Sequence, residues 1–211
     1  SAGSEAELYA VRKDSDLIMS VRIPVAAGVD VYVIEGDTIT EIVSQYNMLA
    51  GGGPEVPEWA LGLLYRCYYK WDAEKIKETA DYFRDHQIPC DMIGLEPGWH
   101  THAYSCTYQW SDKYPNPDEF IAYLKDRNFH INLWEHAFVH PDAEIHDALI
   151  PHSGDWLVWG GLVPDFATPE GRRIFADYHR TKLVDHGIDG FKLDECDSSD
   201  FTGSWSFPLS S

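Results

Sequence analysis

The spacing of apolar positions changes character once along the chain, at a run of glycines and prolines. Before it, residues 8–35 read as strands, because DLIMSVRIPV (16–25) and VDVYVIEG (29–36) are short β-branched runs broken by Gly28 and Asp30. ITEIVSQYNML (39–49) then has helical spacing, with Ile39, Ile42, Val43, Tyr46 and Leu49 on one face. GGGPEVP (51–57) suits neither helix nor strand and marks a domain boundary.

Beyond the boundary, strands and helices alternate. ALGLLYR (60–66), CDMIGLE (90–96), FHINLWE (129–135) and IDGFKLDE (188–195) read as buried strands. DAEKIKETADYFRDH (72–86), PDEFIAYLKDR (117–127) and TPEGRRIFADYHRTKLVDHG (168–187) read as amphipathic helices, the last capped by Thr168 and stopped at Gly187. Near-continuous apolar strands separated by helices predict a parallel sheet covered by helices. An open doubly wound sheet and a closed (β/α)8 barrel both fit. No GxGxxG or GxxxxGK[ST] follows the first strand, and three strands end in LEPGW (95–99), LWEH (133–136) and LDECD (193–197). Acidic and aromatic strand ends suit the C-terminal mouth of a barrel, which is the favoured reading.

Composition narrows the function classes. The 211 residues carry a net charge of −19, with 44% apolar and 14% aromatic residues. That content builds a core and excludes disorder as the main state. The acidic balance argues against nucleic acid as a partner. No apolar run approaches the roughly 18 residues of a membrane span, and SAGSEAEL is not expected to open a signal peptide. Cys67, Cys90, Cys106 and Cys196 form no CxxC pair and are expected as free, buried thiols. No metal and no cofactor are expected: HTH (100–102) and HAFVH (136–140) do not match a tight HExxH helix and suit a polar pocket lining.

The chemistry concentrates at strand ends. In DGFKLDECD (189–197) the two-residue period sends Lys192 and Asp194 to the same side, where the lysine would keep the carboxylate ionised. A fixed, ionised carboxylate suits a glycosidase nucleophile, and a salt bridge or helix cap suits the same residues. Glu96 and Glu135 end their strands similarly and can accept hydrogen bonds from sugar hydroxyls. Trp99, Trp134 and Trp159 offer faces for a sugar ring, or pack in the core.

Five ordered blocks resemble glycoside hydrolase family 31, the retaining α-glycosidases: 46–62, 88–100, 108–136, 158–175 and 187–197. The resemblance implies a (β/α)8 barrel preceded by a β-sandwich, with residues 1–50 as the end of the sandwich, 51–58 as a linker and 59–211 as the first four β/α units. It makes Asp194 the nucleophile, with Glu96, Trp134, Trp159 and Lys192 around an oligosaccharide or glycoside substrate; Trp99 and Glu135 are added to the candidate site from the strand-end reading above. Lys192 stands where common α-glucosidases have tryptophan, and Glu96-Pro97-Gly98-Trp99 also departs from them. The sugar is therefore open between gluco, galacto, xylo and N-acetylated forms. The acid/base is expected outside this chain, on the remainder of its own barrel. The competing expectation is a carbohydrate-binding barrel that lacks the acid. Localisation stays open.

Overall fold

A computed structural model describes the backbone of residues 6–11 and 18–23, and residues 30–196 in full. It divides into two compact units, Ser1–Glu55 and Val56–Ser211.

In the first unit, β1 (Ala6–Val11) pairs antiparallel with β2 (Ile18–Ile23). α1 (Ile39–Leu49) has the limits its periodicity predicts and begins with a capping box: Glu41 N–H donates to Thr38 Oγ1 at 3.2 Å, and Thr38 N–H to Glu41 Oε2 at 3.2 Å. Residues 30–36 form no strand, contrary to the reading of VDVYVIEG. Their β-branched run finds no ladder partner among the described residues, and propensity alone does not hold a lone strand.

The second unit is a four-stranded parallel sheet in the order β3 (Leu64–Arg66), β4 (Met92–Leu95), β5 (His130–Glu135), β6 (Gly190–Leu193). α2 (Ala73–Asp85) connects β3 to β4, and α3 (Pro117–Lys125) connects β4 to β5. A four-residue α4 (His146–Leu149) and then α5 (Pro169–Lys182) lie between β5 and β6. Spatial order follows chain order without reversal. That selects the barrel over the doubly wound sheet, whose order reverses at a switch point. Four parallel strands are about half of the eight that close such a barrel.

Each helix forms for local reasons. Asp72 caps α2 by accepting from Lys75 N–H at 2.9 Å, and Ala73, Ile76, Ala80 and Phe83 make its buried face. Pro117 opens α3, which buries Phe120, Ile121 and Leu124. Thr168 caps α5 by accepting from Gly171 N–H at 3.2 Å. The α-helix stops at Lys182 rather than 187; one tighter turn, Val184–His186, runs into Gly187 at φ +107°. The first barrel strand is also shorter than ALGLLYR, because Glu58–Leu61 form a turn whose Trp59 stacks on His130 at 3.9 Å. Ile93, Leu95, Ile131 and Leu133 are fully buried between sheet and helices. Burying each such side chain stabilises by about 1.5–3 kcal/mol.

Two long loops cover the C-terminal ends of the strands. They are stitched together by bridges from Cys106 to Val139 and from Val139 to Leu162. The Cys106 N–H donates to Phe138 O at 2.9 Å, and the His140 N–H to Cys106 O at 2.9 Å. The sequence offers no periodic signal for these loops, which form because backbone groups buried over the sheet must find partners.

Candidate active site

The strand ends converge on two carboxylates. Asp194 follows the last residue of β6, and its N–H donates to Glu135 O at 2.8 Å, extending the β5–β6 ladder by one residue. Its Oδ2 accepts from the Trp134 indole N–H at 2.8 Å and lies 2.9 Å from Lys192 Nζ. Its Oδ1 accepts from the Glu195 N–H at 3.0 Å. Hydrogen bonds from Lys192 and then Trp134 hold the Asp194 carboxyl below the usual carboxylate range, against the opposing effect of burial. Asp194 and Lys192 remain open to solvent, at 35% and 41% side-chain exposure, so a ligand can reach them.

Glu96 follows β4 and is paired with the Arg66 guanidinium from β3. Arg66 also donates to Asn132 Oδ1 on β5 at 2.7 Å and to Leu95 O at 3.0 Å. One planar cation thus ties three strands at the mouth. Gly94 permits this: a Cβ there would lie 2.9 Å from Arg66 Nη1. Arg66 and Glu96 line a cleft of about 660 Å³ with Tyr68, Tyr69, Trp71 and Tyr104.

The remaining candidates separate by environment. Trp159 lies at the tip of a two-residue hairpin, where Val158 N–H donates to Gly161 O at 3.0 Å and Gly161 N–H to Val158 O at 2.8 Å. Trp159 and Gly160 both hold positive φ, at +49° and +73°, the geometry of a type I′ turn. A bulky residue there is uncommon, and its ring packs on Tyr104, His136 and Phe138. Trp99, Trp134 and Glu135 are all buried, at 0%, 1% and 1% exposure, and of the three only Trp134 meets Asp194, through its indole N–H. The Trp99 indole donates to Trp134 O at 2.7 Å, bracing the strand that carries Trp134. Glu135 faces α5, where its Oε2 lies 3.1 Å from His179 Nε2. The physical reason is the two-residue period: Asn132 and Trp134 point to Arg66 and Asp194, so Leu133 and Glu135 point to the helices.

The histidines are structural in their surroundings. His100 accepts from Tyr108 N–H at Nδ1 and so donates from Nε2 to Trp134 O at 3.1 Å. Burial pushes His100 down to about 3 and His136 down to about 4. Neither therefore supplies a cation at neutral pH. No group of three or more metal-ligating side chains forms among the described residues. Cys67, Cys90 and Cys106 are free and buried, with Cys67 pushed up to about 12 by burial, whereas Cys196 is exposed.

A family model described as the glycosyl hydrolases family 31 TIM-barrel domain matches residues 53–209. The chain belongs to glycoside hydrolase family 31. The family 31 chain is 26% identical over 178 residues to the α-xylosidase XylQ of Lactiplantibacillus pentosus, covering 77% of this chain and 23% of that protein. It is 28% identical over 190 residues to α-glucosidase 2 of Bacillus thermoamyloliquefaciens, covering 82% and 24%. Among solved structures, a family 31 α-xylosidase from a soil metagenome, complexed with xylose, superposes with a TM-score of 0.65 at 20% identity, over 79% of this chain and 27% of that one. A family 31 dextranase of Flavobacterium johnsoniae, complexed with glucose, gives 0.62 at 23% identity, over 78% and 23%. The chain thus spans about a quarter of the length of these relatives.

Sequence reasoning about the family 31 chain did not single out Arg66, Asn132, Tyr104 or Glu195. Two of them carried a usable signal. Arg66 is a charged residue ending an otherwise apolar strand, and Asn132 shares the period-2 face of Trp134. Tyr104 and Glu195 reach the site through loop geometry, which no spacing rule predicts.

Proposed function

We propose that this chain is the nucleophile-bearing part of a retaining α-glycosidase, acting at the non-reducing end of oligosaccharides or glycoconjugates by double displacement. The observation that carries the reading is the Asp194 carboxylate, held ionised by Lys192 and Trp134 at the strand ends of a family 31 barrel. In the first step an Asp194 oxygen attacks the anomeric carbon, the bond to the leaving oxygen breaks, and that oxygen takes a proton from the acid. In the second step the same group, now a base, takes a proton from water. The water oxygen attacks the anomeric carbon and frees Asp194, with net retention.

Each residue has a task in this scheme. Lys192 and Trp134 keep Asp194 deprotonated and fix its direction of attack. Glu96, oriented by Arg66, accepts hydrogen bonds from sugar hydroxyls. Trp159 supplies an apolar wall, while Trp99 and Glu135 support the strand that carries the buried Trp134. The acid/base is assigned to a group outside this chain. Glu96, Glu135 and Glu195, the described glutamates at the barrel strand ends, already engage Arg66, His179 and Tyr104 respectively. The first unit is assigned as the end of a β-sandwich ahead of the barrel, a reading its antiparallel ribbon supports.

The test is to trap the covalent intermediate. Full-length protein incubated with 5-fluoro-α-glycosyl fluorides of the gluco, galacto, xylo and N-acetylgalacto series is expected to gain one glycosyl mass on the peptide holding Asp194. A label on another residue overturns the assignment, and the reactive member of the series names the sugar.

A second outcome follows from electrostatics. Lys192→Met removes the cation that lowers the Asp194 pKa, so the carboxylate protonates at higher pH. The acid limb of kcat/KM is expected to move up in pH, leaving the basic limb in place. An unmoved acid limb would show that another group sets it.

A further inference from the structure

Tyr104 touches two of the three groups that hold the Asp194 oxygens, Trp134 and Glu195; the third is Lys192. Its ring lies 5.4 Å from the Trp134 ring between centroids, and Trp134 donates to Asp194 Oδ2. Its hydroxyl donates to Glu195 Oε1 at 2.8 Å, and the Glu195 backbone N–H donates to Asp194 Oδ1. Glu195 holds φ +57°, a left-handed backbone that costs a non-glycine residue about 1–2 kcal/mol. The hydrogen bond to Tyr104 keeps the side chain of Glu195 in place in this conformation, next to the peptide whose N–H holds Asp194 Oδ1. On its far side Tyr104 meets Trp159 edge-on, at 5.1 Å and 83°. The Tyr104 residue is still 43% exposed and lines the same cleft as Arg66 and Glu96.

We propose that Tyr104 is a positioning residue of this site. It orients the Asp194 carboxylate by anchoring Glu195 on one oxygen and seating the Trp134 ring on the other. The proposal rests on the reading of Asp194 as nucleophile. It assigns a task to a loop tyrosine that makes no bond to Asp194 itself. Without the hydroxyl, Glu195 loses its side-chain anchor, and the turn that follows β6 and carries the N–H on Oδ1 loosens. The carboxylate then samples attack angles other than the productive one, which slows the chemical step and leaves sugar binding intact.

The experiment uses the full-length protein and small aryl α-glycosides. Tyr104→Phe keeps the ring and removes only the hydroxyl. It is expected to lower kcat roughly tenfold, with KM changed less than about twofold. Glu195→Ala is expected to match it, and the double variant Tyr104→Phe/Glu195→Ala to be no slower than either single one. Glu195→Gln retains an acceptor for the tyrosine and is expected to recover most of the loss. A wild-type kcat in Tyr104→Phe overturns the proposal, as do additive losses. A rise in KM at constant kcat also overturns it, since that marks direct contact with the sugar. A wild-type protein that turns over none of the glycosides overturns the nucleophile reading and this proposal together. An active wild type with an unaffected Tyr104→Phe overturns this proposal alone.

Discussion

Replacing Asp194 by alanine is expected to lower kcat of the full-length protein on an aryl α-glycoside by roughly 10⁴-fold or more, the scale seen when a catalytic nucleophile is removed. The loss has to be that large because no neighbour can substitute. Glu195, the adjacent carboxylate, is turned to Tyr104, and Glu96 is committed to Arg66. Lys192 and the Trp134 indole would be left facing an empty position, which attracts small anions. Azide is therefore expected to restore turnover of substrates with a leaving group good enough to need no acid. It would attack the anomeric carbon from the vacated side, expel the aryloxide and give the β-glycosyl azide, whose configuration is inverted. An Asp194→Ala protein that keeps its activity, or a rescued product of retained configuration, would show that another group is the nucleophile. Folding is a lesser concern, since Asp194 lies past the end of β6 with about a third of its side chain exposed.

The parts of this architecture that were legible in the sequence are those with a period. α1, α2 and α3 follow directly from apolar spacing, to within two residues at each end. The four parallel strands follow from apolar runs between helices. At β6 the two-residue period brought Lys192 and Asp194 together correctly, and they lie 2.9 Å apart. The same rule on β5 separates Trp134 from Glu135, which the sequence reading places together, one for its flat face and the other for its strand-end carboxylate. Trp99 was grouped with them because a tryptophan beside a strand end suits a sugar or a core equally, and only burial distinguishes the two. The loops over the mouth carried no signal at all. Their shape is set by isolated bridges and by left-handed residues such as Trp159 and Glu195, which depend on contacts distant in sequence. Residues 30–36 show the opposite failure, a strand-like composition without a partner to pair with.

His179→Ala is expected to destabilise the barrel unit by about 3–5 kcal/mol, the cost of truncating a buried ring and leaving a buried carboxyl without its hydrogen-bond partner. The ring is held at both nitrogens, with Phe175 O at 2.9 Å from Nδ1 and Glu135 Oε2 at 3.1 Å from Nε2. It also stacks on Phe175 at 4.1 Å and meets Tyr108 and Phe191 edge-on. Truncation would therefore open a gap among aromatic rings and leave the Glu135 carboxylate, 1% exposed, without its donor. Hydrogen–deuterium exchange of the full-length protein is the measurement. Protected amides of β5, α5 and β6 are expected to exchange at least about 100-fold faster, with the first unit unchanged. The double variant Glu135→Met/His179→Phe removes the carboxylate together with its partner and is expected to regain most of the protection, since an apolar pair of similar volume needs no donor. The same double variant separates the two roles open to Glu135. If Glu135 braces the strand beneath Trp134 and Asp194, KM for the glycoside stays near wild type once packing is restored. If Glu135 binds sugar hydroxyls, KM rises while the exchange pattern stays normal.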